Sequence, residues 1–155
     1  MPQLIFETMI AAPLGAVWAF HEDVIGSLPA LSPPEGAVKI ISADLPVHVG
    51  SRIVISARIL LGFRGKWVAK IVEHAPPFEG RAMFADEQES GPFAAWRHEH
   101  QFEQVGSQTK LVDVVTYRAP LGPLGLVADK LFLRRKVIAM FAYRHRETRR
   151  FLELR

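Results

Sequence analysis

Alternation of apolar and polar positions with a period of two dominates the middle of this 155-residue chain. Its clearest stretch is Trp96-x-His98-x-His100-x-Phe102, preceded by Phe84-x-Asp86-x-Gln88 and followed by Asp113-x-Val115-x-Tyr117. Successive side chains of a strand point to opposite sides, so each set shares one face of a sheet. Aromatic residues bound that face, which marks it as the enclosed one, yet it carries two histidines and two carboxylates. Burying such groups costs free energy unless they pair with one another or with a ligand. This face is the chain's best handle on function.

The surrounding pattern predicts the other elements. Residues 3–10 alternate loosely and predict a first strand. Pro13 suits the first turn of a short helix. Asp23 caps a second over residues 24–28, which Pro29 and Ser32-Pro33-Pro34 close. From Gly36 onward, breakers separate strands predicted at 38–43, 51–59, 66–73, 81–87, 95–104 and 109–118. A turn falls at 62–65, and Pro76-Pro77 and Gly91-Pro92 end strands. Six consecutive strands with short connections predict an antiparallel meander. Gly122-Pro123-Leu124-Gly125 then breaks the alternation, and a helical period runs from about 126 to 152. On a helical wheel, Leu126, Val127, Leu131, Leu133, Val137, Ile138, Phe141 and Phe151 share one broad face, with Lys136, Arg146, Glu147, Arg150 and Glu153 opposite. A helix this long needs a partner surface, which the sheet supplies. The whole, residues 1–155, reads as one α+β domain.

The last hairpin fixes a register. A turn at 105–108 pairs Gln104 with Thr109, Phe102 with Leu111, His100 with Asp113, His98 with Val115 and Trp96 with Tyr117. An odd slip would separate the two patterned faces. An even register around Gly91-Pro92 places Asp86 near His98. The product is a cluster of Asp86, Gln88, His98, His100, Asp113 and Tyr117.

Four readings of the cluster stay open. It is a self-satisfied network with each histidine donating to a carboxylate, or the floor of a ligand cavity. A two-histidine, two-carboxylate metal site is chemically available, although His-x-His on a strand is a weak motif. General acid–base catalysis would use His98 or His100 as base and Tyr117 as donor, but no nucleophile or second catalytic motif accompanies them. A carboxylate partner for His100 weakens the last two readings, and no metal or other cofactor is expected. On the helix, Arg134, Arg144 and His145 fall within the apolar face. They either snorkel or pair with Asp86 or Asp113, or an arginine holds an anionic head group.

Composition trims the alternatives. A hydrophobic fraction of 49% and a charged fraction of 23% are ordinary for a folded soluble protein. The absence of cysteine excludes disulfides, thiolate metal sites and cysteine nucleophiles, and fits a reducing cytoplasm. Glu7 interrupts the first apolar run, and no stretch approaches the roughly 20 apolar residues of a membrane span, so neither a signal peptide nor membrane insertion is expected. The net charge is only +3. Its basic excess lies late and interleaves with Glu147 and Glu153, as on a solvated helix, so no nucleic-acid partner is expected. No phosphate-binding glycine loop and no Gly-x-Ser-x-Gly elbow occur.

The residues also carry a resemblance along nearly the whole chain. It begins with Ala11-Ala12-Pro13, Val17-Trp18-x-Phe20 and Gly50-Ser51, and continues through Phe84-x-Asp86-x-Gln88-x-x-Gly91-Pro92 and Trp96-x-His98-x-His100-x-Phe102. Thr109, Asp113-x-Val115-x-Tyr117, Pro120-x-Gly122 and Phe141-x-Tyr143-Arg144 complete it. In these the chain resembles the START-like SRPBCC superfamily of polyketide cyclases, lipid-transfer domains and pollen-allergen-type proteins, closest to its bacterial cyclase/dehydrase-like branch. The resemblance implies a helix-grip fold, with a curved seven-stranded antiparallel sheet wrapped around the long C-terminal helix and a cavity between them. There the chain would bind a small hydrophobic or amphipathic molecule. Ile53, Ile55, Trp67, Phe84, Trp96, Phe102, Val137 and Phe141 would hold its body. Asp86, Gln88, His98, His100, Asp113 and Tyr117 would form the polar floor, with Arg134 and Arg144 at the polar end. Access would lie at 29–34 and 122–125. Two alternatives stand beside it: a cyclase or dehydratase acting on a polyketide-like carbonyl compound, and a protein-interaction domain with a filled cavity, as in chaperone-activating relatives. A homodimer is left open.

Overall fold

A computed structural model describes residues 1–58 and 63–153. The first strand, β1 (Gln3–Ile10), leads into α1 (Leu14–Glu22), α2 (Val24–Ala30) and a single 3-10 turn at Pro34–Gly36. The meander follows as β2 (Lys39–Ala43), β3 (Arg52–Arg58), β4 (Arg64–Phe78), β5 (Arg81–Ser90), β6 (Ala95–Val105) and β7 (Gln108–Arg118). The chain ends in α3 (Gly122–Ala128), a π-helical turn at Asp129–Leu133, and α4 (Arg134–Glu153). The seven strands form one antiparallel sheet in the order β1-β7-β6-β5-β4-β3-β2. The two short helices carry the chain from β1 to the far edge, and the meander then returns until β7 pairs with β1. This is the α+β helix-grip arrangement.

Local chemistry explains the departures from the predicted bounds. β4 runs past Pro76-Pro77 because the ladder shifts between Ala75 and Phe78, leaving both prolines out of the pairing. The predicted end of β3 at Ile59 and the start of the predicted turn at Gly62 lie outside the described residues. Arg64 and Gly65, placed in that turn by the sequence, belong to β4. The C-terminal helix starts at Gly122 rather than near 126, with Pro123 in its first turn, where a missing N–H costs nothing. Gly125 has no alternative, since a Cβ there would sit 1.8 Å from the Pro120 carbonyl oxygen.

The predicted apolar face of that helix is only half right. Leu133, Val137 and Phe141 are buried, but Leu126, Val127, Leu131 and Ile138 face solvent, and so does Arg134. For Leu126, Val127 and Leu131 the π turn is the reason: its extra residue per turn rotates that segment relative to α4, so one continuous wheel cannot describe both parts. Arg134 and Ile138 belong to α4 itself and lie at the edges of its buried stripe.

The core falls into two apolar clusters. One packs Trp18 of α1 against Ile71, Phe84, Phe102 and Leu111 of the sheet. The other packs Leu133, Val137 and Phe141 against Trp96, Val115 and Tyr117. On β7 the first cluster owns Leu111 and the second Val115, with Asp113 between them. On β6 they own Phe102 and Trp96, with His98 and His100 between. On the C-terminal helix, His145 lies between Phe141 and Leu152 in the same way. A polar layer therefore runs through the molecule from sheet to helix. Among the described residues, no helix is long and apolar enough to cross a membrane.

Candidate functional site

The polar layer is assembled by register. His100 lies opposite Asp113, His98 opposite Val115 and Trp96 opposite Tyr117, as the hairpin predicts, and Asp86 lies opposite His98. Asp113 is the hub. It is 3% exposed. One carboxylate oxygen, Oδ1, accepts from His98 Nε2 at 2.8 Å, and the other, Oδ2, accepts from His145 Nε2 on α4 at 2.5 Å. His100 Nδ1 is also only 2.9 Å from Oδ1, but it is misaligned for a hydrogen bond and stays unsatisfied. It is held there by packing, its ring stacked on Phe84 with centroids 4.1 Å apart.

The protonation states follow from this geometry. Burial pushes the Asp113 carboxyl up, but the imidazoles of His100, His145 and His98 outweigh it and hold the group well below the usual carboxylate range. Burial pushes His98 down, and burial together with the neighbouring His98 takes His100 to about 4. His21, which packs its ring edge toward His100, falls to about 4 for the same reason, with His100 as its second cause. A neutral imidazole has one N–H to give. His98 gives its Nε2–H to Asp113, so its Nδ1 is bare, 3.9 Å from Asp86 Oδ2. His21 gives Nδ1–H to the Val17 carbonyl at 2.8 Å, so its Nε2 is bare. Asp86 itself is raised to about 6, chiefly by burial.

Arg144 supplies the compensating charge. Its Nε is buried without a partner, and its guanidinium lies 5.4 Å from the centroid of the Phe141 ring. Burial lowers its pKa, while the charges of Asp113 and Asp86 support the cation. The layer thus has a closed half, in which Asp113, His98 and His145 satisfy one another. Its open half holds His100 Nδ1 and Arg144 Nε, which have no aligned partner among the described residues, with Asp86 beside them. Buried polar atoms of this kind are rare enough to need an explanation.

The remaining sequence candidates take different places. Gln88 is spent on the turn before β6: its amide donates to the Phe93 carbonyl at 2.8 Å and accepts from the Phe93 N–H at 3.1 Å. Tyr117 donates to Asp129 Oδ1 at 2.5 Å, and burial, then that bond, pushes its hydroxyl pKa up. Phe84, Phe102 and Ile53 are filled core on one side of the layer, and Val137, Phe141 and Trp96 on the other. Arg134 is exposed, on the Tyr117 side of the cluster. Along β3 to β5, the residues Ile55, Trp67, Ala69 and Asp86 of the concave face are only half-buried, because α4 lies chiefly against β1. A depression of about 510 Å³ lies on the opposite face between Phe78, Met83, Gln101 and Lys110. Asp86, His98 and His100 can each present a metal-ligand atom within 4.8 Å of the others. The Arg144 charge beside them opposes a cation there.

Two buried polar residues, His21 at the layer and Asp129 at Tyr117, are additional to the sequence candidates. His21 follows Leu14, Val17 and Trp18 at the spacing of one buried helix face, a signal the sequence does contain. Asp129 has no such signal, since only the π turn points it inward at Tyr117.

Comparison with known proteins extends these observations. Residues 10–146 match the family model described as polyketide cyclase/dehydrase and lipid transport. No curated protein matches the chain. Among solved structures, it is similar to TTHA0849 from Thermus thermophilus, with 20% identity, TM-score 0.68, and coverage of 95% of this chain and 97% of that one. A START superfamily protein from Mycobacterium smegmatis shares 13% identity at TM-score 0.68, over 98% of this chain and 97% of its own. Norcoclaurine synthase from Thalictrum flavum, solved with dopamine and hydroxybenzaldehyde, shares 13% identity at TM-score 0.67, over 99% and 88%. At these identities the likeness is one of fold.

Proposed function

The chain belongs to the polyketide cyclase/dehydrase and lipid transport family, and from that premise we propose that it binds a small amphipathic molecule between the sheet and its C-terminal helix. The observation that carries this reading is the open half of the polar layer. His100 Nδ1 and Arg144 Nε are buried without partners, and Asp86 sits beside them at the edge of a half-buried apolar surface. The ligand's apolar body lies along Ile55, Trp67 and Ala69. Its polar end meets the Arg144 guanidinium and the bare nitrogen of His98. A group that both accepts and donates hydrogen bonds, such as a hydroxyl or a protonated carboxyl, satisfies both sides. A fully ionised head group pairs well with Arg144 but is repelled by Asp113.

Extraction of the purified protein followed by mass spectrometry, with titration of a fluorescent fatty acid, tests the proposal. Saturable binding that weakens at least tenfold in Arg144→Met supports it. Absence of both a bound molecule and a titration signal in the folded protein overturns it.

One observation favours a second reading, catalysis of a cyclisation or dehydration on a polyketide-like carbonyl compound. Asp86, raised to about 6 by burial, faces the bare Nδ1 of His98 at 3.9 Å, which places a carboxyl with a pKa near neutral beside an unprotonated imidazole nitrogen. Tyr117 is a poor donor for it, being committed to Asp129. Turnover that disappears in Asp86→Asn while binding persists would select this reading.

A further inference from the structure

A helix packed on a sheet ordinarily shows solvent its polar side. The outer side of α3 and the π turn, continued by Ile138 of α4, does the reverse. Leu121, Leu124, Val127, Leu131, Phe132 and Ile138 are between 42% and 77% exposed. With Leu126 they are concentrated in one segment of eighteen residues rather than scattered over the surface. The polar residues interspersed with them are of one sign. Lys130, Arg134, Arg135 and Lys136 are all exposed, and among the described residues none of the four takes part in an ion pair. The acid in this stretch, Asp129, is buried and holds the Tyr117 hydroxyl, so it does not offset them at the surface.

We propose that this face docks the protein on an anionic phospholipid bilayer, with α3 and the start of α4 lying in the plane of the interface. Apolar side chains beside unpaired lysines and arginines are the composition of an interfacial helix. The alternative occupant, a second copy of the chain meeting the same face across a two-fold axis, would set the four cations against four others with no exposed acid between them. Charge complementarity therefore selects the lipid surface. The helix need not cross, and among the described residues none is long and apolar enough to do so. Its inner side, through Leu133 and Val137, covers the second core cluster, so docking changes the surroundings of that cluster while leaving the fold intact. The proposal stands on the outer surface alone and is independent of what the interior binds.

Vesicle flotation of the full chain tests it. The vesicles are phosphatidylcholine alone, or phosphatidylcholine with one part in three phosphatidylglycerol. The protein should float with the anionic vesicles, and added salt should release it. Removing two cations in Arg135→Gln/Lys136→Gln should weaken partitioning roughly 25-fold, at about 5-fold for each basic residue near the surface. Leu131→Asp should weaken it at least as much. These side chains are exposed, so melting curves of the variants should overlay the parent and separate docking from folding. Failure to float with anionic vesicles, or flotation unaffected by either variant, overturns the proposal. A dimer by light scattering that Leu131→Asp dissolves, together with no vesicle binding, would assign the face to a second copy instead.

Discussion

Replacing Asp113 with asparagine isolates the hub of the polar layer. The volume is kept and one carbonyl oxygen remains, but the other acceptor becomes an NH2 donor and the charge is lost. His98 and His145 both direct N–H groups at this carboxylate, at 2.8 and 2.5 Å. After the substitution one of them faces N–H against N–H. His98 can escape only by moving its proton to Nδ1, where Asp86 Oδ2 is 3.9 Å away, beyond hydrogen-bond reach. Losing one charge-assisted bond costs about 1.5–3 kcal/mol, and the surviving bond drops to roughly half its strength once the acceptor is neutral. Arg144, supported by the charge of Asp113, loses that support as well. The total is about 3–5 kcal/mol, the range seen when one partner of a buried pair is removed.

For a chain of 155 residues this predicts a melting temperature lower by roughly 6–20 °C, and a urea midpoint lower by roughly 1.5–2.5 M at a slope near 2 kcal/mol/M. Urea titration followed by tryptophan fluorescence reads it directly, since Trp96 and Trp67 lie in the second cluster beside the layer. A loss below about 1 kcal/mol with an unchanged slope would mean that the three histidines do not depend on the carboxylate, and the hub assignment would fail.

His100→Phe should behave in the opposite way. It keeps the stack on Phe84 and gives up no aligned bond, so stability should stay within about 1 kcal/mol of the parent or rise; a loss above about 2 kcal/mol would show that its contact with Asp113 is a true hydrogen bond. Tyr117→Phe strands a buried Asp129 oxygen and should cost about 1–3 kcal/mol, so an unchanged melting temperature would contradict the structural role given to that pair. Acidification should destabilise the fold. His21 and His100 stand at about 4 in the folded chain against 6.5 unfolded, so the unfolded state binds more protons through that window and stability is lost as pH falls through it. Asp86, at about 6 against 3.8, works the other way and cancels roughly one of the two, leaving a net loss of a few kcal/mol between neutral pH and pH 4. Urea midpoints across that range measure it, and a flat profile would refute the neutral-imidazole assignment.

Strand order and register were legible because a period of two with one enclosed face admits few pairings. His100 opposite Asp113 and Asp86 opposite His98 required only hairpin parity. Contacts between elements distant in the chain were not legible at that resolution. The arrival of His145 Nε2 at Asp113 depends on where α4 crosses the sheet, so the sequence could place His145 near Asp86 or Asp113 without choosing. The exposure of Leu126, Val127 and Leu131 was not legible for a related reason: one wheel drawn from 126 to 152 assumes a uniform helix, and the π turn at Asp129–Leu133 breaks that assumption. Gln88 had the right face but the wrong role, because its amide is consumed by the Phe93 backbone. Alternation shows which way a side chain points and not whether its hydrogen bonds are already spent.

The division of the polar layer bears on why it exists. A buried ionic network is a poor way to gain stability, because apolar side chains of similar size would fill the same space at no desolvation cost. If stability were its only role, every member would be expected to pair. Asp113, His98 and His145 do pair, and they tie β6 and β7 to α4 at one defined depth. His100, Arg144 and Asp86 do not, and these three lie toward the part of the concave face that α4 leaves half-covered. The closed half fixes the geometry of the open half: His98 holds its bare nitrogen toward Asp86 only because its other nitrogen is bonded to Asp113. A rigid hub with unspent donors and acceptors on its open side is what preorganised recognition of a polar group requires. Solvent-facing leucines outside the same helix then give the protein a means to meet a lipid surface without disturbing that hub.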